Sequence, residues 1–158
     1  MMNSTIKLIT ASSGAHFQDG KALFREYAAS LSIDLAFQRF EEELDTVQEQ
    51  YGPPSGALVL AYADERAVGC AGVRSKGGGI AELKRMYVQP EFRGHQLGKL
   101  LLERSVAIAR DLGYEKLRLD TLASMTGARR LYESFGFEVI PAYYDNPHAD
   151  AIYMEKVL

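Results

Sequence analysis

Cysteine is nearly missing from this sequence: one thiol, Cys70, in 158 residues. A lone thiol excludes a disulfide-stapled scaffold. Its setting, Ala67-Val68-Gly69-Cys70-Ala71-Gly72-Val73, reads as that of a small buried hydrophobe, not of a nucleophile or metal ligand. Proline is scarce at 5 residues, and no Pro- or Ser-rich tract is long enough to act as a linker, so residues 1–158 read as one domain. No apolar run approaches the roughly 18 residues needed to span a bilayer. The start, Met1-Met2-Asn3-Ser4-Thr5-Ile6-Lys7, has no basic segment leading into a long apolar core, so a cytoplasmic protein without a membrane partner is expected. Positive charge is not in excess either: 18 Lys and Arg face 21 Asp and Glu, a net charge of −3. No global field therefore exists to hold a phosphate backbone, and nucleic acid is not expected as a partner. What is present is ordinary globular material, 47% hydrophobic and 25% charged. At this length a chain buries roughly 70% of its unfolded surface, enough for a real core.

The apolar periodicity changes several times along the chain. Thr5–Thr10 reads as a strand, and residues from Ala15 to about Tyr51 carry helical spacing at Phe17, Leu23, Phe24, Tyr27 and Leu31, then Phe37, Phe40, Leu44 and Val47. This predicts two helices broken near Ile33, ended by Gly52-Pro53-Pro54-Ser55-Gly56. Three strands follow, Ala57–Ala63, Ala67–Arg74 and Ile80–Val88, joined by Asp64-Glu65 and by the Gly77-Gly78-Gly79 hairpin turn, which makes an antiparallel meander. Leu97, Leu101, Ile108 and Leu112 mark a long helix stopped by Gly113, and Lys116–Leu122 is again a strand. A strand, helix, strand unit needs a crossover, so a parallel pair joins the meander and the sheet is mixed. Ala128, Leu131, Tyr132 and Phe135 predict a last helix before Gly136, with strands around Phe137–Tyr144 and Ala151–Val157.

Chemistry is expected where the meander meets the crossover, at Val88-Gln89-Pro90-Glu91-Phe92-Arg93-Gly94-His95-Gln96-Leu97-Gly98-Lys99. A helix N-terminus exposes unpaired N–H groups at the positive end of its dipole, a seat for phosphate. Residues 84–99 hold Lys84, Arg85, Arg93 and Lys99 against Glu91 alone, so local charge favours an anion although the chain is acidic. Charge and turn by themselves leave open a basic helix start with solvated side chains. Neither GxxxxGK[ST] nor a strand-borne GxGxxG is present.

The segment Arg93-Gly94-His95-Gln96-Leu97-Gly98, after a strand ending Val88-Gln89-Pro90, resembles the acyl-CoA-binding loop of the GNAT N-acyltransferase superfamily, [QR]-x-x-G-x-[GA]. Gln96 stands where that pattern has a middle glycine, a place where close backbone approach to a phosphate suits a residue without Cβ. Leu131-Tyr132-Glu133-Ser134-Phe135-Gly136-Phe137 resembles the superfamily's LYxxxGF segment and follows the loop at the family's spacing, with one strand between. The Asn often found seven residues before that Tyr is Met125 here. The likeness spans residues 57–158; residues 1–56 share only a strand and two helices. The resemblance implies an α/β (α+β) fold with a mixed, mostly antiparallel central sheet of about seven strands flanked by about four helices. It also implies an enzyme that moves an acetyl group from acetyl-CoA, as cosubstrate, to a primary amine of a small molecule or peptide by direct attack in a ternary complex. The other class left open is a GNAT-like acyl-CoA-binding module without turnover, which the departures at Gln96 and Met125 would suit. A homodimer through the C-terminal strands fits such a fold, though no residue specifies one.

The resemblance further implies roles. The pyrophosphate would lie on the amides of Arg93, Gly94, His95, Gln96, Leu97, Gly98 and Lys99, and the pantetheine arm along Met86, Tyr87 and Val88 like an added strand. A strand amide near Tyr87 or Val88 would polarise the thioester, and Tyr132 would protonate the departing thiolate. Glu82 would serve as general base, because an alkylammonium must lose a proton before it can attack. From the residues alone, Glu82 is equally a solvated partner of Lys84 on one strand face, and Tyr132 equally a core aromatic on its helix stripe. The adjacency of Lys84 and Arg85 breaks strand alternation, as expected if the strand bulges or carries function. His16 and His148 lack neighbours at ligand spacing and His95 belongs to the loop, so no metal is expected. Asp34, Glu41, Glu42, Glu43, Asp45 and Glu49 against Arg39 form either an acidic wall for a cationic acceptor or a solvated helix face. Tyr143-Tyr144-Asp145-Asn146-Pro147 reads as a turn of the kind that shapes the acceptor side.

Overall fold

Strict two-residue alternation at Leu58, Val59, Leu60 and Ala61 sends Leu58 and Leu60 to one face of a sheet and Val59 and Ala61 to the other, all fully buried. A strand buried on both faces needs a cover on each, and the computed structural model, which describes residues 5–31, 39–146 and 148–158, has one. The elements run β1 (Ile6–Thr10), α1 (Gly14–Ser30), α2 (Phe40–Asp45), α3 (Val47–Gln50), β2 (Ala57–Ala63), β3 (Arg66–Gly77) and β4 (Ile80–Val88). They continue with α4 (Leu97–Asp111), β5 (Lys116–Leu122), α5 (Thr126–Ser134), β6 (Glu138–Ile140) and β7 (Ala151–Val157). The seven strands form one sheet in the order β1-β2-β3-β4-β5-β7-β6, with only β4 and β5 parallel. This is the mixed, mostly antiparallel sheet expected.

On one face α4 sets Leu97, Leu101, Leu102 and Val106 against Leu83, Leu117, Leu119 and Met154, with Tyr132 of α5 in the same cluster. On the other, Phe17, Leu23 and Phe24 of α1 pack with Leu44, Tyr51, Leu58 and Leu60. Cys70 is buried in that second cluster, as its apolar setting predicts, and its Sγ–H donates to the Arg85 carbonyl at 3.2 Å. Gly72 lies under the Tyr51 ring, where a Cβ would come within 2.6 Å of ring carbons. The hairpin glycines Gly77, Gly78 and Gly79 all have positive φ, which a tight β3–β4 turn requires.

Three differences from the sequence reading have local causes. Residues 40–50 form two short helices, because the Thr46 hydroxyl donates to the Glu42 carbonyl at 2.7 Å and Thr46 leaves helical geometry (φ −118°, ψ 25°), which brings the α-helices among the described residues to five instead of about four. The break expected near Ile33 falls outside the described residues. The strand expected over Phe137–Tyr144 stops at Ile140, since Pro141 has no N–H to continue a ladder. Among the described residues no helix is long and apolar enough to cross a membrane.

Candidate active site

The parallel pairing of β4 with β5 is short. It covers Ile80 with Lys116, Ala81 with Leu117 and Glu82 with Arg118, and then ends. Beyond that vertex β4 stays bonded to β3 as far as Val88, and β5 to β7 as far as Leu122, so the sheet opens between Leu83–Val88 and Leu119–Leu122. The peptide groups of β4 that face the opening have no strand partner there, and an extended chain can pair with them as a strand would. Met86 and Val88 are half-buried and Tyr87 is buried on this stretch.

A bulge accounts for the broken alternation. Cys70 faces Tyr87 and Gly72 faces Lys84, leaving Arg85 and Met86 opposite Ala71, and Arg85 takes a positive φ of 58°. The bulge turns two consecutive side chains, Lys84 and Arg85, into one pocket at the opening, which Tyr27, Leu83, Asp120, Thr121 and Met125 also line.

At its C-terminal end β4 runs through a 3-10 turn (Pro90–Phe92) into α4. Arg93 is extended and exposed, with Nε donating to the Val88 carbonyl at 3.0 Å and its guanidinium 5.9 Å from the Tyr87 ring centre. Gly94 (φ 87°) and Gln96 (φ 61°) are both left-handed, and no side chain caps the first turn of α4. His95 and Lys99 are exposed, Leu97 anchors the turn in the core, and Gly98 passes within 3.7 Å of Leu131 as measured from an added Cβ. The helix start thus presents unclaimed N–H groups beside basic side chains, which suits an anion.

Glu82 sits at the vertex with 1% exposure. Its Oε1 accepts from Arg74 at 2.9 Å and its Oε2 from the Tyr143 hydroxyl at 2.8 Å. The pairing with Lys84 weighed above does not form: Lys84 Nζ bonds Asp120 Oδ1 at 3.3 Å across the opening, because β5 brings a carboxylate nearer than the same strand does. Tyr132 is buried 5.8 Å from Phe137 in an edge-on ring contact, and its hydroxyl bonds no described residue. Burial pushes this phenol well above its ordinary range, and Tyr27 and Asp120 add to the shift. Tyr132 lies on the α4–α5 side of the sheet, whereas Glu82 and Lys84 bond to groups on the other side, so the opening separates the two catalytic candidates.

Sequence reasoning missed Asp120 and the partners of Tyr144 and Glu43. Asp120 accepts from Lys84 and, at 2.7 Å, from the Tyr144 hydroxyl. Burial raises its carboxyl, but the charge of Lys84 and the Tyr144 bond outweigh this and hold it below its ordinary value. The signal was Lys116, Arg118 and Asp120 alternating with Leu117 and Leu119, a polar face on an inner strand. Glu43 belongs to no acidic wall. It is 2% exposed and receives Arg85 on both oxygens (3.1 and 2.8 Å) and the Tyr51 hydroxyl (2.9 Å), while Glu41 and Glu42 are exposed. The tyrosine turn reaches inward as a unit, the rings of Tyr143, Tyr144 and Tyr153 meeting edge-on at 5.2 to 5.5 Å.

A profile of the Acetyltransferase (GNAT) family matches residues 21–137, which include the opened strand pair, the loop and α5. This chain belongs to the GNAT acetyltransferase family. A GNAT relative, an uncharacterized N-acetyltransferase of Schizosaccharomyces pombe, is 40% identical over 156 residues, spanning 98% of this chain and 96% of that one. A GNAT acetyltransferase structure from Staphylococcus aureus superposes with a TM-score of 0.80 at 19% identity, over 97% of this chain and 99% of that one. A Thermoplasma acidophilum PaiA N-acetyltransferase, solved in complex with coenzyme A, superposes with a TM-score of 0.71 at 21% identity, over 98% and 99%. At such identities the structures show a shared fold.

Proposed function

We propose that this GNAT chain transfers an acetyl group from acetyl-CoA to a primary amine of a small molecule or peptide, by direct attack while both substrates are bound. The observation that carries the reading is the strand opening that ends in an uncapped helix start. Unpaired peptide groups of Met86–Val88 suit a pantetheine arm, which is itself amide-bearing. The amides of Arg93–Lys99, with the Arg93 and Lys99 charges, suit its pyrophosphate. The coenzyme A held by the Thermoplasma relative of the same fold supports this class of ligand.

The amine nitrogen bonds to the thioester carbonyl carbon, the carbon–sulfur bond breaks, and its electron pair leaves on sulfur. A β4 amide at Tyr87 or Val88 stabilises the oxyanion. Glu82 accepts the proton that the amine sheds, directly or through the Tyr143 hydroxyl that already donates to it. Arg74 keeps that carboxylate oriented. Tyr132, held protonated by burial, supplies a proton to the thiolate from the opposite side of the opening.

Thiol release from acetyl-CoA in the presence of a panel of amines tests the assignment. Turnover with at least one amine is expected; saturable coenzyme A binding with no amine accepted would instead make the chain an acyl-CoA-binding module.

A further inference from the structure

We infer that the acceptor amine carries a carboxylate close to its nitrogen, as a free amino acid does, and that Arg85 and Lys84 receive that carboxylate; this rests on the acyl-transfer reading above. Arg85 has a side chain only 3% exposed and lines the pocket at the strand opening. It spends Nε and Nη2 on Glu43, and Nη1 bonds no described residue. A ligand oxygen in the pocket can meet that nitrogen with a charge-assisted bond. The bulge places Lys84 in the same pocket, so two cations meet there on adjacent residues. Burial lowers the Lys84 ammonium, with Asp120 opposing that shift, so a further anion nearby would stabilise its charged form.

The charges facing this pocket decide among acceptor classes. Among the described residues Glu43 pairs with Arg85, Asp120 with Lys84 and the neighbouring Glu82 with Arg74, so these six groups sum to zero. A zwitterion enters such a site without burying net charge, its carboxylate toward Arg85 and Lys84 and its ammonium toward Asp120, which faces them from β5. A polyamine would bring unopposed positive charge against Lys84 and Arg85. A peptide N-terminus offers an amide where the carboxylate should be.

The test compares each of several α-amino acids with its own carboxamide as acceptor, using acetyl-CoA and intact protein. The carboxamide has the less basic amine and so the larger neutral fraction, so a preference for the acid reports recognition, not nucleophilicity. The expected result is kcat/KM at least about tenfold higher for the acid, carried mainly by KM. In Lys84→Met and in Arg85→Lys, melting of each variant being checked first, the acid-to-amide ratio should shrink severalfold. Should Arg85→Lys fail to fold, Lys84→Met and the native pairs decide. Equal rates on acid and amide, with thiol released, would overturn the acceptor assignment and leave acetyl transfer standing. No thiol release with any amine, alongside saturable coenzyme A binding, would overturn both.

Discussion

Burial keeps the Tyr132 phenol protonated until a base forms beside it, and its hydroxyl bonds no described residue that would compete. Tyr132→Phe keeps the ring contact with Phe137 and removes only the proton. Steady-state thiol release should show kcat reduced about tenfold or more with the KM for acetyl-CoA little changed, as loss of a general acid requires; an unchanged kcat would leave Tyr132 a core aromatic. Glu82→Gln preserves an acceptor for Arg74 but not a base. Its rate should rise only at higher pH, toward the acceptor amine's own ionisation, and an unshifted pH profile would place the base elsewhere. Gln96 is a different kind of residue problem. The family's glycine position has φ of 61° here, so the side chain costs strain as well as room near the proposed phosphate seat. Gln96→Gly should stabilise the fold by about 0.5 to 1 kcal/mol in urea unfolding, and coenzyme A binding by calorimetry should be no weaker.

At the level of elements, β3 meets the end of α3 through Gly72 and Tyr51, the residue that follows the helix. A Cβ at Gly72 would press within 2.6 Å of a ring that is fully buried and whose hydroxyl holds Glu43. Gly72→Ala should therefore cost about 1 to 3 kcal/mol, measured as a lower urea midpoint with an unchanged slope. Elements of this sort were largely legible in the sequence. The strand β2, the stop of α4 at Gly113 and the irregularity at Lys84 and Arg85 follow from local pattern, and each lies where expected. The loop from Arg93 to Lys99 was legible too, because a strand end, a turn and a helix start are consecutive in the chain. The partners of the charged groups were not. Tyr143 meets Glu82 across 61 positions and Arg85 meets Glu43 across 42, and no periodicity encodes which carboxylate a folded sheet will bring to a given cation. The acidic residues 41–43 must spread around their helix, and the third points inward because helical spacing puts Phe40, Glu43 and Leu44 on one buried face.

For the molecule as a whole, buried ion pairs set the acid limit. Burial raises the Glu43 carboxyl, but its bonds with Arg85 and the nearby Arg74 and Lys84 charges bring it below its ordinary 4.5, and Asp120 is likewise held below its ordinary 3.8. Groups lowered on folding stabilise the native state above their unfolded values and lose that contribution as pH falls through the folded ones. Melting temperature should therefore drop as pH falls from about 4.5 and go on dropping below the ordinary carboxylate range. Glu43→Gln should melt lower at neutral pH, because it leaves Arg85 buried without its counter-charge, and should show a shallower acid slope.

The opening between β4 and β5 gives an inner strand the behaviour of a sheet margin. Alternate amides of Leu83–Val88 should take up deuterium faster than those of β2, although both strands lie inside the sheet order. Once coenzyme A lies along the seam, those same amides should slow together, reporting occupancy without any chemistry taking place.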